Sequence, residues 1–287
     1  MSIVNKNNLK RLIPSGRSLG KQPAKKDPRT LQFENYIVAS DLPDAPAELA
    51  LEDQVKSPWG MMDNDKIGDC TCACAGHMII NWSANAGDEK DPSQQDIVTA
   101  YSEITGYNPQ TGANDNGAVV LDVLNFWKNT GIAADKIDAY VALEPNNDQQ
   151  VRESTFLFGG CYLGLQMPLS AQNQTIWSVP SSGQTGKGAP GSWGGHAVPV
   201  VGYDNRYVAV ITWGNVLYMT WEFYNAYCDE AYAIISIDWL NQTGKTAEGF
   251  DLQQLDADLT QINQVPSQLF KRLKNKQISP QGLEKYS

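Results

Sequence analysis

Only two histidines occur in the 287 residues of this chain, and one of them, His196, stands in Gly194-Gly195-His196-Ala197-Val198-Pro199-Val200-Val201-Gly202-Tyr203-Asp204. Far upstream, Gly68-Asp69-Cys70-Thr71 opens a run of helical character that continues through Trp82. A cysteine at a helix N-terminus gains thiolate character from the dipole of the first turn. A thiol nucleophile also needs a base to take its proton, and a sequence-distant histidine brought beside it by the fold is a recurrent solution. Cys70 and His196 are therefore a candidate catalytic dyad.

The elements that must position this pair divide the chain in two. Helices are expected over Cys70–Asn85, Pro92–Ile104 with Asp91 as N-cap, Ala118–Thr130 stopped by Gly131, and Asn146–Phe158. From Cys161 the pattern changes to short strand-like runs, Cys161–Gln166, Ala197–Tyr203, Tyr207–Trp213 and Glu230–Ile237. A helix over Met219–Tyr227 lies between two of them. Another, over Phe250–Ile262, shows Leu252, Leu255, Leu259 and Ile262 on one face. The expected organisation is an extended basic arm (1–40), a mainly helical lobe carrying Cys70 (41–160), a β-rich lobe carrying His196 (161–249), and a C-terminal helix with a basic tail (250–287).

The formal charge of −10 conceals an asymmetry. Residues 1–30 hold eight Lys/Arg against Asp27, and residues 271–287 hold five against Glu284. An acidic body thus carries two basic ends. Pro14, Gly16, Gly20, Pro23 and Pro28 break the first arm, which is expected to stay extended and to be ordered by an acidic partner or assembly surface instead of by its own packing. No apolar run reaches the roughly 18 residues of a membrane span, and the N-terminus has no signal-peptide core. A cytoplasmic or virion-associated protein with reduced thiols is the expectation; the crowded Cys70, Cys72 and Cys74 do not read as a disulfide framework.

Other motifs carry less. Gly186-Lys187-Gly188-Ala189-Pro190-Gly191 follows no strand and opens no helix, so no dinucleotide site is expected. Asp63, Asp65 and Gly68 suggest a calcium loop, but Ile67 and Cys74 fall where oxygen ligands belong. Cys70, Cys74 and His77 would share a helix face; packing in a helix core explains them better than a metal. No metal and no cofactor are expected.

Taken together, Leu42-Pro43, the segment Asp63–Thr71, Gly117-Ala118-Val119-Val120-Leu121-Asp122 with Gly131-Ile132, the His196 block and Thr212-Trp213-Gly214 resemble the papain-like cysteine peptidase superfamily, in its bacterial and phage-type branch without the disulfide beside the nucleophile. The resemblance spans residues 42–240. It implies an α+β fold of two lobes, one helical and one an antiparallel sheet or barrel, with nucleophile and histidine facing across a cleft. It further implies attack by the Cys70 thiolate on an amide carbonyl of a protein or peptide, and proton return from His196 to the leaving amine. The Cys70 N–H and a side-chain amide six residues upstream, here Asn64 in place of the family's Gln, would stabilise the oxyanion. The residue that orients the imidazole, Asn in the family, is Ile211 when aligned on Trp213-Gly214 and Thr212 when counted from His196; of these only Thr212 can hydrogen-bond. Trp213 would shield that bond.

Two functions follow as expectations. One is a cysteine peptidase or related amide hydrolase using Cys70, His196, Asn64 and Thr212. The other is a weak or inactive scaffold of the same fold serving as a structural or binding component, such as a minor or decorating protein of a phage particle. The altered orienting position, the shortened amide and the basic arms suited to docking favour the second, and the carboxylate of Asp69 beside Cys70 weighs against a thiolate.

Overall fold

A computed structural model describes residues 3–5, 16–37, 43–236, 239 and 251–263. The expected basic tail at 271–287, Leu42 of the Leu42-Pro43 pair, and Ile237 and Phe250 at the ends of expected elements lie outside them.

The nucleophile helix, α1 (Cys70–Ala86), is buried over nearly its whole length, from Cys70 to Ser83. Small side chains permit this: a Cβ on Gly76 would come within 2.7 Å of Ile97 and 2.8 Å of Met62. The helix ends where Gly87 takes the left-handed conformation, φ 81°,. Next comes α2 (Gln94–Thr105). Its N-cap is Ser93, not Asp91, because Ser93 and Asp96 form a reciprocal capping box that Asp91-Pro92 cannot offer,. The amphipathic α3 (Val120–Asn129) buries Leu121, Leu124 and Trp127. Asn147 caps α4 (Asp148–Phe158) by accepting from the Gln150 N–H.

Eight strands form one sheet among the described residues: β1 (Leu49–Ala50), β2 (Ala139–Ala142), β3 (Cys161–Met167), β4 (Ile176–Trp177), β5 (Gly194–Tyr203), β6 (Tyr207–Thr212), β7 (Asn215–Thr220) and β8 (Cys228–Ile235). The order is β2-β8-β3-β5-β6-β7-β4, with β1 added to β5. All pairs are antiparallel except β4 with β7. A short helix, α5 (Trp221–Tyr227), precedes β8, and α6 (Leu252–Asn263) buries Leu255. The fold is α+β and papain-like, helices gathered around Cys70 and a sheet carrying His196.

Three sequence readings need correction. Ala139–Ala142, a stretch of the mainly helical lobe for which no element was expected, is a strand paired with β8. The expected helix over Met219–Tyr227 begins only at Trp221, because Asn215–Thr220 pairs with β6. The third concerns the arm, expected to await a partner. Its described part packs on its own body: Lys21 bridges Ala118 in parallel, Gln32 bridges Ala142, and Phe33 and Tyr36 enter the core with 0% and 1% exposure. No helix of the described residues is long and apolar enough to cross a membrane.

Candidate active site

Cys70 is the first residue of α1, which packs on β5. Across that contact the Cys70 thiol meets the backbone of Ala197, the neighbour of His196. The β3–β5 ladder pairs His196 with Leu165 and helps leave the imidazole with no exposed surface. Nε2 of His196 lies 2.7 Å from Thr212 Oγ1, while Nδ1 has no hydrogen-bond partner among the described residues. Thr212 comes from the adjacent β6, so β5 and β6 together fix the pair. Ile211, the other alignment, belongs to the core with 1% exposure.

The turn between β6 and β7 places Trp213 and Gly214 both at positive φ, 48° and 70°, as a two-residue hairpin twisted with its strands requires. Glycine meets that demand freely, and tryptophan only at a cost in strain. The result is a stack: the Trp213 indole lies on the His196 imidazole at 4.5 Å and 11°. Trp177 meets the same imidazole edge-on at 6.5 Å.

The arm runs through this site. Ser18 N–H donates to Asn64 O at 2.9 Å, Ala118 N–H to Gly20 O at 2.8 Å, Gln22 N–H to Ala118 O at 2.9 Å, and Lys21 N–H to Gly195 O at 3.0 Å. The backbone of Gly20 and Lys21 lies against the Cys70 thiol. Asn64 Nδ2 donates to the arm carbonyl of Ser18, and to Ile67 O, each at 3.4 Å; Trp213 Nε1 donates to the same Ser18 carbonyl at 3.3 Å. The side-chain amide proposed for an oxyanion thus holds a carbonyl oxygen of the arm. Arg17 lies over the rings of Trp193 and Trp213 at 5.3 and 5.5 Å.

Glycines make so close an approach possible. A Cβ on Gly20 would stand 1.8 Å from Gly68 O, and one on Gly117 would stand 1.9 Å from Gly20 O. Both flanking glycines belong to one network: Asp115 Oδ1 accepts from Gly68 N–H at 2.9 Å and from Tyr101 OH at 2.7 Å, and Tyr101 OH accepts from Gly117 N–H at 2.8 Å. Asp115 and Tyr101 escaped the sequence reading, since nothing local marks them.

Burial sets the electrostatics. It pushes the Cys70 thiol up to about 11, against the opposing backbone groups of Ala197, Gly20 and Lys21, and pushes His196 down to about 3, with a smaller effect of His77 in the same direction. Desolvation therefore overrides the helix-end effect, and both groups are neutral while the arm is down. Asp69 is fully buried, and burial raises its carboxyl well above the usual range. Its charge, where present, adds to the upward push on the Cys70 thiol. His77 is buried, its Nε2 3.1 Å from Gly60 O.

No protein-family model matches the chain, and no curated protein matches it in sequence. Solved structures do match in fold. Xylellain, a cysteine protease from Xylella fastidiosa, superposes with a TM-score of 0.59 at 16% identity, over 79% of this chain and 100% of its own. Digestive procathepsin L 3 of Tenebrio molitor larval midgut gives 0.52 at 10%, over 77% and 76%. Procathepsin B S9 from Trypanosoma congolense gives 0.53 at 11%, over 76% and 86%. These likenesses define a papain-like fold.

Proposed function

We propose that the chain is a cysteine peptidase, or a related amide hydrolase, whose cleft is closed by its own N-terminal arm. The observation that carries the reading is the local constellation. Cys70 heads a helix packed on the histidine strand, and Nε2 of His196 is held by Thr212 while Nδ1 is left without a partner. With the ring proton on Nε2 and given to Thr212, Nδ1 carries the lone pair that accepts the thiol proton. The thiolate sulfur then bonds to the amide carbon, the C–N bond breaks, and the proton held at Nδ1 passes to the leaving amine; water hydrolyses the thioester. The Cys70 N–H and Asn64 amide would receive the oxyanion once the Ser18 carbonyl has left. That two of the similar structures are named as proenzymes accords with a covering segment. One observation favours the other reading, a silent papain-like scaffold: Thr212 stands where the family has an amide.

Gly20→Val separates the two in the full-length chain, because its Cβ cannot fit against Gly68 and the arm must lift. Iodoacetamide should label Cys70 slowly in the parent and at least tenfold faster in Gly20→Val, which should also hydrolyse fluorogenic peptide amides. Adding Cys70→Ala or His196→Ala should abolish hydrolysis. Rapid labelling with no hydrolysis of any peptide would support the scaffold.

A further inference from the structure

Lys21 is a cation with no exposed side-chain surface. Its Nζ lies 2.9 Å from Asp229 Oδ2 and 3.0 Å from Glu230 Oε1 and donates to Gln22 O at 3.3 Å. The Glu230 side chain is 5% exposed. Both carboxylates are fixed from behind: Tyr232 OH donates to Glu230 Oε2 at 3.0 Å and Gln166 Nε2 to Asp229 Oδ2 at 2.7 Å. Neither neutral partner supplies charge. Among the described residues, the ion pairs of Asp229 and Glu230 are those with Lys21.

The wall facing the lysine stem is Gly164, where a Cβ would stand 2.2 Å from Lys21 Cε and 2.5 Å from Glu230 Cγ. Residue 164 must therefore lack a side chain for a long one to enter. Main-chain bonds to Gly195 and Ala118 flank the residue, and its backbone lies at the Cys70 thiol. That is how a cleft would hold one residue of a bound peptide. Asp229 and Glu230 also border a cavity of about 510 Å³ beside Asp27 and Leu143. An apolar occupant would leave a buried carboxylate without a counter-charge, which such sites reject strongly.

We infer that Gly164, Asp229 and Glu230 form a specificity pocket for a lysine or arginine side chain of a peptide substrate, with Lys21 its resident occupant while the arm is down. The inference rests on the peptidase reading and selects its substrate class.

The test uses the full chain with Gly20→Val, so that Lys21 is withdrawn. Fluorogenic peptides varied one position at a time should show one position at which Lys or Arg exceeds norleucine in kcat/KM by on the order of a hundredfold. Adding Glu230→Gln should collapse that ratio to within about threefold. A second readout needs no catalysis: in Gly20→Val with Cys70→Ala, a labelled peptide of the residue 18–24 sequence should bind, and its norleucine counterpart at position 21 should bind at least tenfold more weakly. Hydrolysis without a basic preference overturns the pocket and leaves the peptidase. Lysine-dependent binding that Glu230→Gln removes, with no hydrolysis, keeps the pocket and overturns the peptidase. Loss of both overturns both. Should Glu230→Gln fail to give a cooperative melt, Gly164→Ala, which obstructs the stem, must remove the same preference.

Discussion

Thr212 differs from an amide in that one oxygen both donates and accepts, so it bonds either imidazole tautomer by turning its hydroxyl hydrogen, whereas an amide must turn over to present its carbonyl or its NH2. A threonine therefore orients the ring without dictating which nitrogen carries the proton. In the Gly20→Val chain, Thr212→Val should lower kcat/KM by about 5- to 150-fold, since a buried ring nitrogen left unpaired costs about 1–3 kcal/mol. Thr212→Asn should restore or exceed the Thr212 rate. Steady-state kinetics across pH tests this: a purely structural role for Thr212 would lower stability in Thr212→Val and leave the pH profile in place. Asp69 shows the other side of residue-scale reasoning. Its position beside Cys70 reads from sequence as opposition to a thiolate, and the structure keeps that sign while adding what no sequence displays, a burial that raises the carboxyl's own pKa.

Among the elements, the arm is the one whose state should follow pH. Burial holds His196 near 3 with the arm down, and a solvated imidazole titrates near 6.5. A group whose pKa is lowered in the closed state stabilises that state above the open-state value, and the benefit is lost as pH falls. Glu230 works against this: desolvation raises its carboxyl in the closed state despite Lys21, so its proton uptake favours the closed arm, and the larger shift of His196 sets the sign,. Arm opening should thus grow as pH drops from about 6.5 toward 4. Hydrogen exchange of the amides of Ser18, Lys21 and Gln22, corrected for intrinsic rates, would show it; protection that stays constant over this range would count against the linkage. How much of this was legible varies by element for physical reasons. The β5 block and α1 could be read because local pattern and local structure coincide. β7 could not, because Val216, Leu217, Tyr218 and Met219 are all buried and a strand covered on both faces loses the alternation that marks strands. The arm was read correctly for composition and wrongly for place. Gly20 is a chain breaker in sequence, while its role in the fold is the absence of a Cβ next to Gly68. Lys21 looks like one of eight solvated cations, and its partners lie 208 and 209 residues away.

For the molecule as a whole, the arm is fastened at both ends of its described course, but unequally. Downstream, Phe33 meets Phe158 edge-on at 6.4 Å and Tyr36 OH donates to Asp258 Oδ2 at 2.9 Å on α6. Those contacts belong to the core and stay when the cleft opens. Between the cleft and this anchor, Pro23 to Lys26 are exposed, so the pair Lys25-Lys26 is open to trypsin while the bond after Lys21 is shielded. A short tether holds a ligand at an effective concentration in the millimolar range. Before cleavage, occupancy of the cleft is an intramolecular equilibrium and is indifferent to protein concentration. After one cut at Lys25 or Lys26 every contact of residues 16–22 can persist, yet the segment has become a diffusing molecule whose hold depends on how much solution surrounds it. Nicked protein should therefore label at Cys70 faster on each dilution below the dissociation constant of the fragment, and intact protein should label at one rate throughout. The arm needs no weakened contact to release the cleft; dilution alone suffices.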